Sequence, residues 1–402
     1  MTGSRERLVV VGNGMVGLRF LEELLDRAPG RYDITVIGAE SEPAYNRVLL
    51  SSLLAGEIGE ASVRLRNRAW YAERGVRLIT GNPATALIPE RRTVTVRSGA
   101  PILYDICVLA TGSEPIQLAV PGNSLDGVET FRTIADARTL QAADAKHPVV
   151  VGGGLLGIEA AHGLARDGRT VTLVHVMDRL MERQLDEEAA SLLHASLAAR
   201  GITVLLGERT TALAGRDRVE TVVLGASRSI ACDLCIVAIG VRAAAALAKA
   251  GGLAVGRGVV VDDRLETSVP GIFAIGECAE HREVCYGLVE PGFEQANVLS
   301  RVLAGEAASY QGSIRATHLK VSGIPLFSMG EFEAHDAETI TLRDRGAGIY
   351  RRFVIRDGRL VGAVLFGDTA DAPWYCDLVR AGTSIAHIRE DLPFGRAYAE
   401  AA

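Results

Sequence analysis

Two glycine-rich runs contain residues whose type and spacing suit nucleotide binding. The first is Gly12–Gly17, with the letters GNGMVG, and the second is Gly152–Gly157, with the letters GGGLLG. Each run follows a β-branched stretch and precedes an apolar one, a pattern that predicts a buried strand, a turn and a helix. Glycine lets such a turn approach a pyrophosphate, and the helix N-terminus attracts the phosphate charge. The sequence therefore predicts two dinucleotide-binding loops.

The same pattern predicts the elements that must position these loops. Strands are expected at Leu8–Val11 and Val149–Val151, and helices at Leu18–Leu25 and Ile158–Leu164. Glu159 is a candidate for orienting a nicotinamide or, alternatively, an acid that the dipole favours in the first helical turn. The residues expected to hold the two nucleotides are Gly12, Gly14, Met15, Val16 and Gly17 in the first unit and Gly152, Gly154, Leu155, Leu156 and Gly157 in the second.

An acid that binds the ribose hydroxyls is expected about 20 residues beyond each loop. In the first unit, Glu40 follows a second predicted strand, Asp33–Gly38. Its carboxylate can accept hydrogen bonds from an adenosine ribose, so Glu40 is a candidate ribose ligand.

The second unit has a histidine where this acid is expected. His175 follows the predicted strand Thr170–Val174. Without the acid a 2′-phosphate is not repelled, and His175 and Arg179 could bind it. Arg179 and Arg183 are, alternatively, ordinary exposed charges on a helix. Asp178 and Glu182 lie nearby in the sequence, so NADH is still a possible coenzyme. The sequence therefore leaves the choice between NADH and NADPH undecided.

Composition disfavours several other kinds of protein. The 402 residues carry a net charge of −6, and a nucleic-acid partner would select a basic surface. No apolar run approaches the ~20 residues of a membrane span, and the apolar part of the N-terminus is too short for a signal peptide. Six cysteines are too few for a disulfide scaffold of this length, so we expect a cytoplasmic protein.

The cysteines do not predict a metal site. Cys232 and Cys235 form a CxxC pair, but they lie in a strand-like run in which residues three apart point to opposite faces. Cys278, His281 and Cys285 are closer to a ligand spacing, yet no second pair completes a zinc site, and their role stays open. No cysteine follows the first glycine run, so thiol chemistry is disfavoured.

Three further segments make the chain resemble the two-dinucleotide flavoprotein reductases. Asp105–Pro115 resembles their return strand with the ATG motif, Ala238–Arg242 its counterpart after the NAD domain, and Thr267–Ala279 their late FAD motif. In the late motif an acid, usually Asp, binds the ribityl chain, and Glu277 takes its place here. The resemblance implies FAD as cofactor and NADH or NADPH as exchangeable substrate. It implies FAD contacts at Ala110, Thr111, Gly112, Gly276 and Glu277, and an NAD(P) contact at Gly240.

One branch of this superfamily is closer than the others. Pro43–Ser52, Met177–Asp186 and Gly276–Arg282 resemble the flavoprotein part of the assimilatory nitrite reductase large subunit, and equally the electron-transfer subunit of assimilatory nitrate reductase. The likeness covers nearly the whole chain, including Leu319–Gly323 and Gly362–Asp368. It implies further FAD contacts at Arg47, Ala84, Phe293 and Glu294.

The predicted fold class is α/β, with two Rossmann-like dinucleotide-binding domains and a small α+β C-terminal domain. Tyr350–Arg356 and Arg359–Leu365 predict two strands joined by an Asp-Gly hairpin turn. The C-terminal domain would cover the flavin or dock an acceptor, and the sequence does not decide which. The expected boundaries are 1–115 and 251–316 for a discontinuous FAD-binding domain, 116–250 for an inserted NAD(P)H-binding domain and 317–402 for the C-terminal domain.

The resemblance implies an FAD-dependent NAD(P)H oxidoreductase that takes hydride from NAD(P)H onto FAD and passes electrons to a partner. That partner would carry an iron–sulfur and sirohaem centre or a molybdenum centre, since this chain has no four-cysteine cluster pattern. The alternatives are an NAD(P)H–ferredoxin or rubredoxin reductase, an NAD(P)H oxidase, and a non-catalytic flavoprotein whose redox state gates a protein contact. Ferredoxin-reductase relatives carry a lysine where Ser52 stands, so its absence here argues against that branch. The intact second glycine loop disfavours the gating role.

Overall fold

The computed structural model describes residues 5–166, 168–319, 321, 323–333 and 336–400, so Lys320 and Ser322 of the Leu319–Gly323 segment lie outside the described residues. Its contacts divide the chain into two compact units. The first comprises Met1–Arg47, Gly59–Glu114 and Val241–Ser313, and the second Val48–Ile58, Pro115–Gly240 and Ile314–Ala402. The domain boundaries given by the sequence stay a prediction. Among the described helices, none has the length and apolar character that crossing a membrane requires.

The strands and helices are numbered here along the chain. Up to residue 115 they are β1 (Glu6–Val11), α1 (Met15–Arg27), β2 (Tyr32–Ile37), α2 (Leu50–Leu54), α3 (Glu60–Val63), α4 (Arg68–Glu73), β3 (Arg77–Ile79), β4 (Ala84–Ile88), β5 (Thr93–Val96), β6 (Ile102–Leu103), β7 (Ile106–Leu109) and β8 (Ser113–Pro115). From residue 128 to 250 they are β9 (Val128–Thr130), α5 (Ile134–Ala142), β10 (Pro148–Val151), α6 (Leu155–Ala165), β11 (Thr172–Val174), α7 (Glu187–Ala198), β12 (Thr203–Leu205), β13 (Thr210–Ala214), β14 (Thr221–Leu224), β15 (Arg228–Ala231), β16 (Leu234–Val237), β17 (Val241–Ala243) and α8 (Ala246–Ala250). The remaining elements are β18 (Val259–Val261), β19 (Ile272–Ala274), β20 (Ala279–His281), α9 (Val289–Ala304), β21 (Ala316–His318), β22 (Leu326–Gly330), β23 (Glu338–Asp344), β24 (Ile349–Arg356), β25 (Arg359–Phe366), α10 (Ala372–Ala381) and α11 (Arg396–Ala399). Short 3-10 helices lie at Arg47–Leu49, Pro89–Arg91, Gly276–Cys278 and Leu392–Phe394.

The first unit is built on a parallel sheet with the strand order β19-β7-β1-β2-β3. Strand β1 lies at its centre and pairs with β2 on one side and β7 on the other. Leu8–Val11 are at most 4% exposed, as expected for a parallel strand covered on both faces. In sheets of this kind ligands bind beyond the carboxyl ends of the strands. The chain beyond β1, β2, β7 and β19 is therefore where the first nucleotide is expected.

The second unit contains a similar parallel sheet, with the strand order β12-β11-β10-β16-β9. Its strand β10 pairs with β11 and β16, as β1 pairs with β2 and β7. An antiparallel sheet, β13-β14-β15, shares an apolar cluster with it. The predicted α/β class with two dinucleotide-type sheets is confirmed.

The C-terminal part of the second unit is a five-stranded antiparallel sheet, β21-β22-β25-β24-β23. The predicted hairpin is confirmed, because β24 and β25 are joined by Asp357 and Gly358, whose φ angles are +51° and +67°. Positive φ at both central residues is the mark of a type I′ turn, whose twist matches that of the strands. Helix α10 packs on β25, and Phe353, Leu365 and Tyr375 belong to the apolar cluster of this part.

Both helices that follow the glycine loops begin three residues earlier than predicted. Gly14 and Gly154 have extended backbone and stand at the N-cap, so the helices begin directly after them, at Met15 and Leu155. Glu159 is therefore the fifth residue of α6, and the explanation of it as a first-turn acid is wrong.

The CxxC pair also departs from its prediction. Strand β16 begins two residues after Cys232, and the carboxylate of Asp233 accepts backbone N–H groups of Lys146 and His147 at this bend. Cys232 and Cys235 are buried in the same apolar cluster, so the expectation of opposite strand faces is wrong. Burial raises the pKa of both thiols, that of Cys232 to about 12. Both free cysteines therefore contribute to packing.

Candidate functional site

The first glycine loop separates into structural positions and one open position. Gly12 has a φ of +119°, and a Cβ there would lie 2.0 Å from the carbonyl oxygen of Ala110 on the neighbouring strand connection. A Cβ on Gly17 would lie 2.4 Å from the carbonyl oxygen of Gly12. A Cβ on Gly14 would meet no atom within 4 Å. The outer glycines therefore allow strand and helix to pack closely, because a Cβ at either position would clash with a backbone oxygen. Gly14 instead faces open space.

The second loop repeats this geometry. Gly152 has a φ of +122°, and a Cβ there would lie 2.3 Å from the carbonyl oxygen of Ala238. A Cβ on Gly157 would lie 1.8 Å from the carbonyl oxygen of Gly152, and one on Gly154 would meet no atom within 4 Å. The two loops thus have the same assignment of roles, although they share few side chains.

Each open position lies at the start of a helix. Met15 and Val16 are the first residues of α1, and Leu155 and Leu156 are the first residues of α6. The first N–H groups of a helix have no partner within it, and its N-terminus carries partial positive charge. An anion can therefore approach the backbone at both loops, which fits the pyrophosphate of a dinucleotide.

Replacing Gly17 with alanine is expected to destabilise the first unit. The added Cβ overpacks the contact between α1 and the loop, so we expect the free energy of unfolding to fall by about 1–3 kcal/mol. Urea unfolding followed by circular dichroism measures the change. Gly59→Ala is the matched control, because a Cβ at Gly59 meets no atom within 4 Å. Equal losses in the two variants would contradict the packing role of Gly17.

Glu40, the predicted ribose acid of the first unit, lies in a cluster of hydrogen-bonded polar and charged side chains. The Tyr45 hydroxyl donates to Glu40 at 2.6 Å, and the Arg47 guanidinium donates both to Glu40 and, at 2.7 Å, to Tyr45. Burial acts to lower the pKa of Arg47, but Tyr45, Glu40 and Glu277 outweigh it, and the net effect is a raised pKa. Arg47 is thus a fixed positive charge close to two of the predicted FAD contacts.

The segment after the return strand contains two more predicted contacts, Thr111 and Gly112, and brings Ser113 beside the late motif. Thr111 donates its hydroxyl to the carbonyl oxygen of Ala244 at 2.7 Å, and Gly112 has a φ of +71°. Ser113 Oγ donates to Glu277 at 2.8 Å, across 164 residues of sequence. Glu277 is half-buried, accepts a hydroxyl hydrogen bond, and lies three residues beyond the end of β19.

The 3-10 helix with Gly276 packs against α9 and the first glycine helix. A Cβ on Gly276 would lie 3.3 Å from the Val16 side chain. The backbone N–H of Gly276 donates to Gln295 at 2.7 Å, and Gln295 is 1% exposed. Gln295 and Ser113 were not predicted from the sequence. A buried amide on an otherwise apolar helix face is the signal that could have indicated Gln295.

The remaining predicted FAD contacts are spread over the first unit. Phe293 and Glu294 lie in α9, where Glu294 accepts a hydrogen bond from Ser313 and the Arg19 guanidinium lies 5.9 Å from the centre of the Phe293 ring. Ala84 is the first residue of β4. Cofactor contacts by these residues stay predictions.

In the second unit the predicted contacts lie around the carboxyl ends of β10, β11 and β16. Glu159 is 5% exposed within α6, and Gly240 has a φ of +117°. The backbone N–H of Gly153 donates to Nδ1 of His175 at 3.0 Å, and Nε2 of His175 lies 3.1 Å from Glu182. These bonds were not predicted, because they depend on how the loop after β11 folds back.

Strands of the C-terminal sheet contact the segment that follows this loop. The Tyr350 hydroxyl donates to Asp186 at 2.6 Å, and Arg343 pairs with Glu188 at 2.6 Å. Burial raises the pKa of Tyr350, so its hydroxyl stays a donor. The C-terminal part of the second unit therefore supports the segment that leads from the nucleotide loop into α7.

Cys278, His281 and Cys285 do not form a common site. Cys278 is buried and its Sγ lies 3.4 Å from the carbonyl oxygen of Leu109, whereas Nε2 of His281 pairs with Asp263 at 2.8 Å. Within the described ranges there is no group of three or more His, Cys, Asp or Glu side chains that could hold a metal ion.

Two family models match the chain. Residues 6–300 match the model described as pyridine nucleotide-disulphide oxidoreductase. Residues 316–383 match the model described as rubredoxin NAD+ reductase C-terminal domain. The first match covers both glycine loops and all the predicted cofactor contacts.

The relatives that match the chain include a nitrite reductase and a subunit of a nitrate reductase. The chain is 43% identical to a nitrite reductase [NAD(P)H] of Bacillus subtilis, over 91% of this chain and 46% of that protein. It is 38% identical to the assimilatory nitrate reductase electron transfer subunit of the same organism, over 91% of this chain and 48% of that protein. The chain thus spans about half the length of these two relatives. A chlorobenzene dioxygenase ferredoxin reductase component of a Cupriavidus species is 31% identical, over 95% of this chain and 94% of its own.

Solved structures share the fold. A ferredoxin reductase of Rhodopseudomonas palustris superposes with a TM-score of 0.85 and 29% identity, covering 92% of this chain and 93% of that chain. An NADH:rubredoxin oxidoreductase of Clostridium acetobutylicum gives a TM-score of 0.77 at 24% identity, covering 96% of this chain and 97% of that chain, and at that identity it supports the fold alone.

Proposed function

The chain belongs to the pyridine nucleotide-disulphide oxidoreductase family, and we propose that it is the flavoprotein component that supplies electrons for nitrite or nitrate reduction. It is an NAD(P)H-dependent oxidoreductase with FAD as its cofactor. The observation that carries the proposal is the 43% identity to a nitrite reductase [NAD(P)H] over 91% of this chain. Identity to the ferredoxin reductase component is lower, at 31%.

The two glycine loops support a division of labour between two nucleotides. We propose that FAD binds at the loop of Gly14 and NAD(P)H at the loop of Gly154, in line with the expected FAD domain of residues 1–115 and 251–316. In both loops a Cβ on either outer glycine would lie within 2.5 Å of a backbone oxygen, whereas a Cβ on the second glycine would meet no atom within 4 Å. A pyrophosphate suits that open side because the first N–H groups of each helix have no partner within the helix.

Bound FAD accepts the two electrons of a hydride and can release them one at a time, which metal-containing acceptors require. The chain's own residues would hold the cofactor and set its charge. We propose that Glu40 binds the ribose, with the positive charge of Arg47 beside it, and that Glu277 binds hydroxyls of the ribityl chain. The hydrogen bonds from Arg47 to Glu40 and from Ser113 to Glu277 support this assignment. Hydride transfer needs no general base, so no proton-transferring residue is assigned.

We further propose that the acceptor is a protein with an iron–sulfur and sirohaem centre or a molybdenum centre. Such a centre would belong to a separate subunit or to a further segment of the same protein, since this sequence lacks the four-cysteine pattern of iron–sulfur ligation. We place the reaction in the cytoplasm, where NAD(P)H is supplied, and the six free cysteines agree with a reducing compartment.

Reconstitution tests the choice of acceptor. The FAD-loaded chain is mixed anaerobically with NADH, nitrite and the part of the B. subtilis nitrite reductase that this chain does not match. We expect NADH oxidation that depends on both nitrite and the added protein. Rapid reduction of rubredoxin or of a [2Fe–2S] ferredoxin, with no nitrite-dependent turnover, would overturn the proposal.

One observation favours a second candidate function. Residues 316–383 match a rubredoxin NAD+ reductase C-terminal domain, and a ferredoxin reductase component matches the chain over nearly its full length. An NAD(P)H–ferredoxin or rubredoxin reductase would use the same cofactor sites and differ only in its acceptor. The reconstitution above separates the two, because each acceptor is offered to the same enzyme.

A further inference from the structure

The second unit presents a carboxylate at its nucleotide loop that the glycine motif does not contain. We propose that Glu182, held in place by His175, binds the adenosine ribose of the coenzyme and makes the protein select NADH over NADPH. This inference rests on the proposed function, since it concerns the coenzyme that reduces the flavin. It assigns a ribose acid to a unit in which the usual position is taken by histidine.

The hydrogen bonds of His175 indicate which ring nitrogen faces which partner. The backbone N–H of Gly153 donates to Nδ1 at 3.0 Å, so Nδ1 has a lone pair and carries no proton. The ring N–H is then on Nε2, which faces a carboxylate oxygen of Glu182 at 3.1 Å. His175 therefore uses Nδ1 for the glycine loop and directs its Nε2–H to Glu182, which leaves neither ring nitrogen for a 2′-phosphate.

The imidazole lies directly against the glycine loop. A Cβ on Gly153 would lie 2.6 Å from Cγ and 2.8 Å from Cδ2 of His175, and the histidine is 8% exposed. An acid in place of His175 would be expected to bond the ribose from this position. Here the imidazole ring of His175 fills that position. The carboxylate of Glu182 lies on the far side of the ring from the glycine loop. The Glu182 side chain is 22% exposed and is thus accessible to a ligand.

The charges around Glu182 disfavour a phosphate. Residues 175–188 contain five carboxylates and two arginines. Arg179 is paired with Glu333 at 2.9 Å, and the Nε of Arg183 lies 3.7 Å from Glu182, with the Arg183 side chain 86% exposed. A carboxylate accepts hydrogen bonds from two ribose hydroxyls, whereas it repels the dianion that replaces the 2′-hydroxyl in NADPH.

The C-terminal sheet keeps this loop in place. Asp186, four residues beyond Glu182, accepts the buried hydrogen bond of Tyr350, and Glu188 pairs with Arg343. The backbone between His175 and α7 is therefore anchored at both ends, by Gly153 at one and by the C-terminal sheet at the other. A ligand that depends on the position of Glu182 meets a preorganised carboxylate, which improves affinity without further ordering.

Equilibrium binding tests the inference independently of catalysis. NAD+ and NADP+ are titrated into the oxidised, FAD-loaded protein by calorimetry. For the unmodified protein we expect NAD+ to bind roughly 100-fold more tightly than NADP+, the scale of a like-charge contact. In Glu182→Gln we expect NAD+ to bind about tenfold more weakly and NADP+ more tightly, so the preference falls to within roughly tenfold.

Two further variants show whether the effect belongs to the ribose site. Glu187→Gln removes the same charge from an exposed position five residues along the chain, and we expect it to keep the full preference. Adding His175→Asp to Glu182→Gln returns an acid to the end of β11, and we expect it to restore much of the preference for NAD+. A role of Glu182 in folding alone would give neither pattern.

The outcomes separate this inference from the proposed function. Equal affinity of the unmodified protein for NAD+ and NADP+, or an unchanged preference in Glu182→Gln, would overturn the role of Glu182 while flavin reduction by either coenzyme still supports the oxidoreductase. Failure to bind either nucleotide, together with no flavin reduction, would instead contradict the function itself.

Discussion

Gly154→Val is expected to abolish rapid flavin reduction by NADH while leaving FAD bound. The backbone at residue 154 is extended, with φ −83° and ψ −178°, so valine fits the folded chain, and its side chain enters the open space at the start of α6. That space is where a pyrophosphate would lie against the helix N-terminus. Displacing the coenzyme by about 1 Å is enough to slow transfer about 100-fold, and we expect at least that loss.

Anaerobic stopped-flow absorbance measures the rate, and the FAD content of the purified variant is measured after denaturation. Gly59→Val is the control, because Gly59 is also an N-cap glycine with extended backbone and no atom within 4 Å of a Cβ. Reduction of Gly154→Val by NADH at the unmodified rate would show that the coenzyme does not bind at this loop.

Gly14→Val is expected to produce a folded chain that lacks FAD. Gly14 has the same extended backbone, with φ −91° and ψ −168°, and the same open side at the start of α1. The valine side chain would clash with the bound cofactor. An overpacking cost of about 1–3 kcal/mol would weaken FAD binding by roughly 5- to 150-fold. We expect FAD to be lost during purification, so that the flavin absorbance is missing while the circular dichroism spectrum is unchanged.

The two valine variants should fail in opposite ways. Calorimetric titration with NAD+ should show a retained nucleotide site in Gly14→Val and a lost one in Gly154→Val. Purified Gly14→Val with full flavin content, alongside a flavin-depleted Gly154→Val, would mean that the two loops serve the opposite nucleotides. This comparison assigns each loop through a matched substitution at the same structural position.

The positions of both glycine loops could be predicted from the sequence because their pattern is local. Strand, turn and helix follow within a few residues, and the asymmetry between fixed and open glycines is a property of the turn itself. The contact of Gly12 with Ala110 could not be predicted as a distance, since it depends on which strand lies beside β1. The Asp357-Gly358 hairpin was predicted for the same reason as the loops, because its turn chemistry is contained in two residues.

The residues that orient the predicted site could not be predicted, because their partners are remote in sequence. Ser113 and Glu277 are 164 positions apart and meet only when β7 and β19 pair. The bond between Tyr350 and Asp186 likewise depends on how the C-terminal sheet packs within the second unit. The CxxC pair was misplaced for a local reason, since Asp233 accepts two backbone N–H groups and delays the start of β16.

The central claim is that this chain accepts hydride from a nicotinamide and passes the electrons on through FAD. Anaerobic mixing of the FAD-loaded protein with NADH, followed by flavin absorbance, tests it most directly. We predict rapid bleaching of the flavin absorbance. The absorbance should return when an oxidising acceptor is added. A bound flavin that neither NADH nor NADPH bleaches, but that dithionite reduces, would contradict the account.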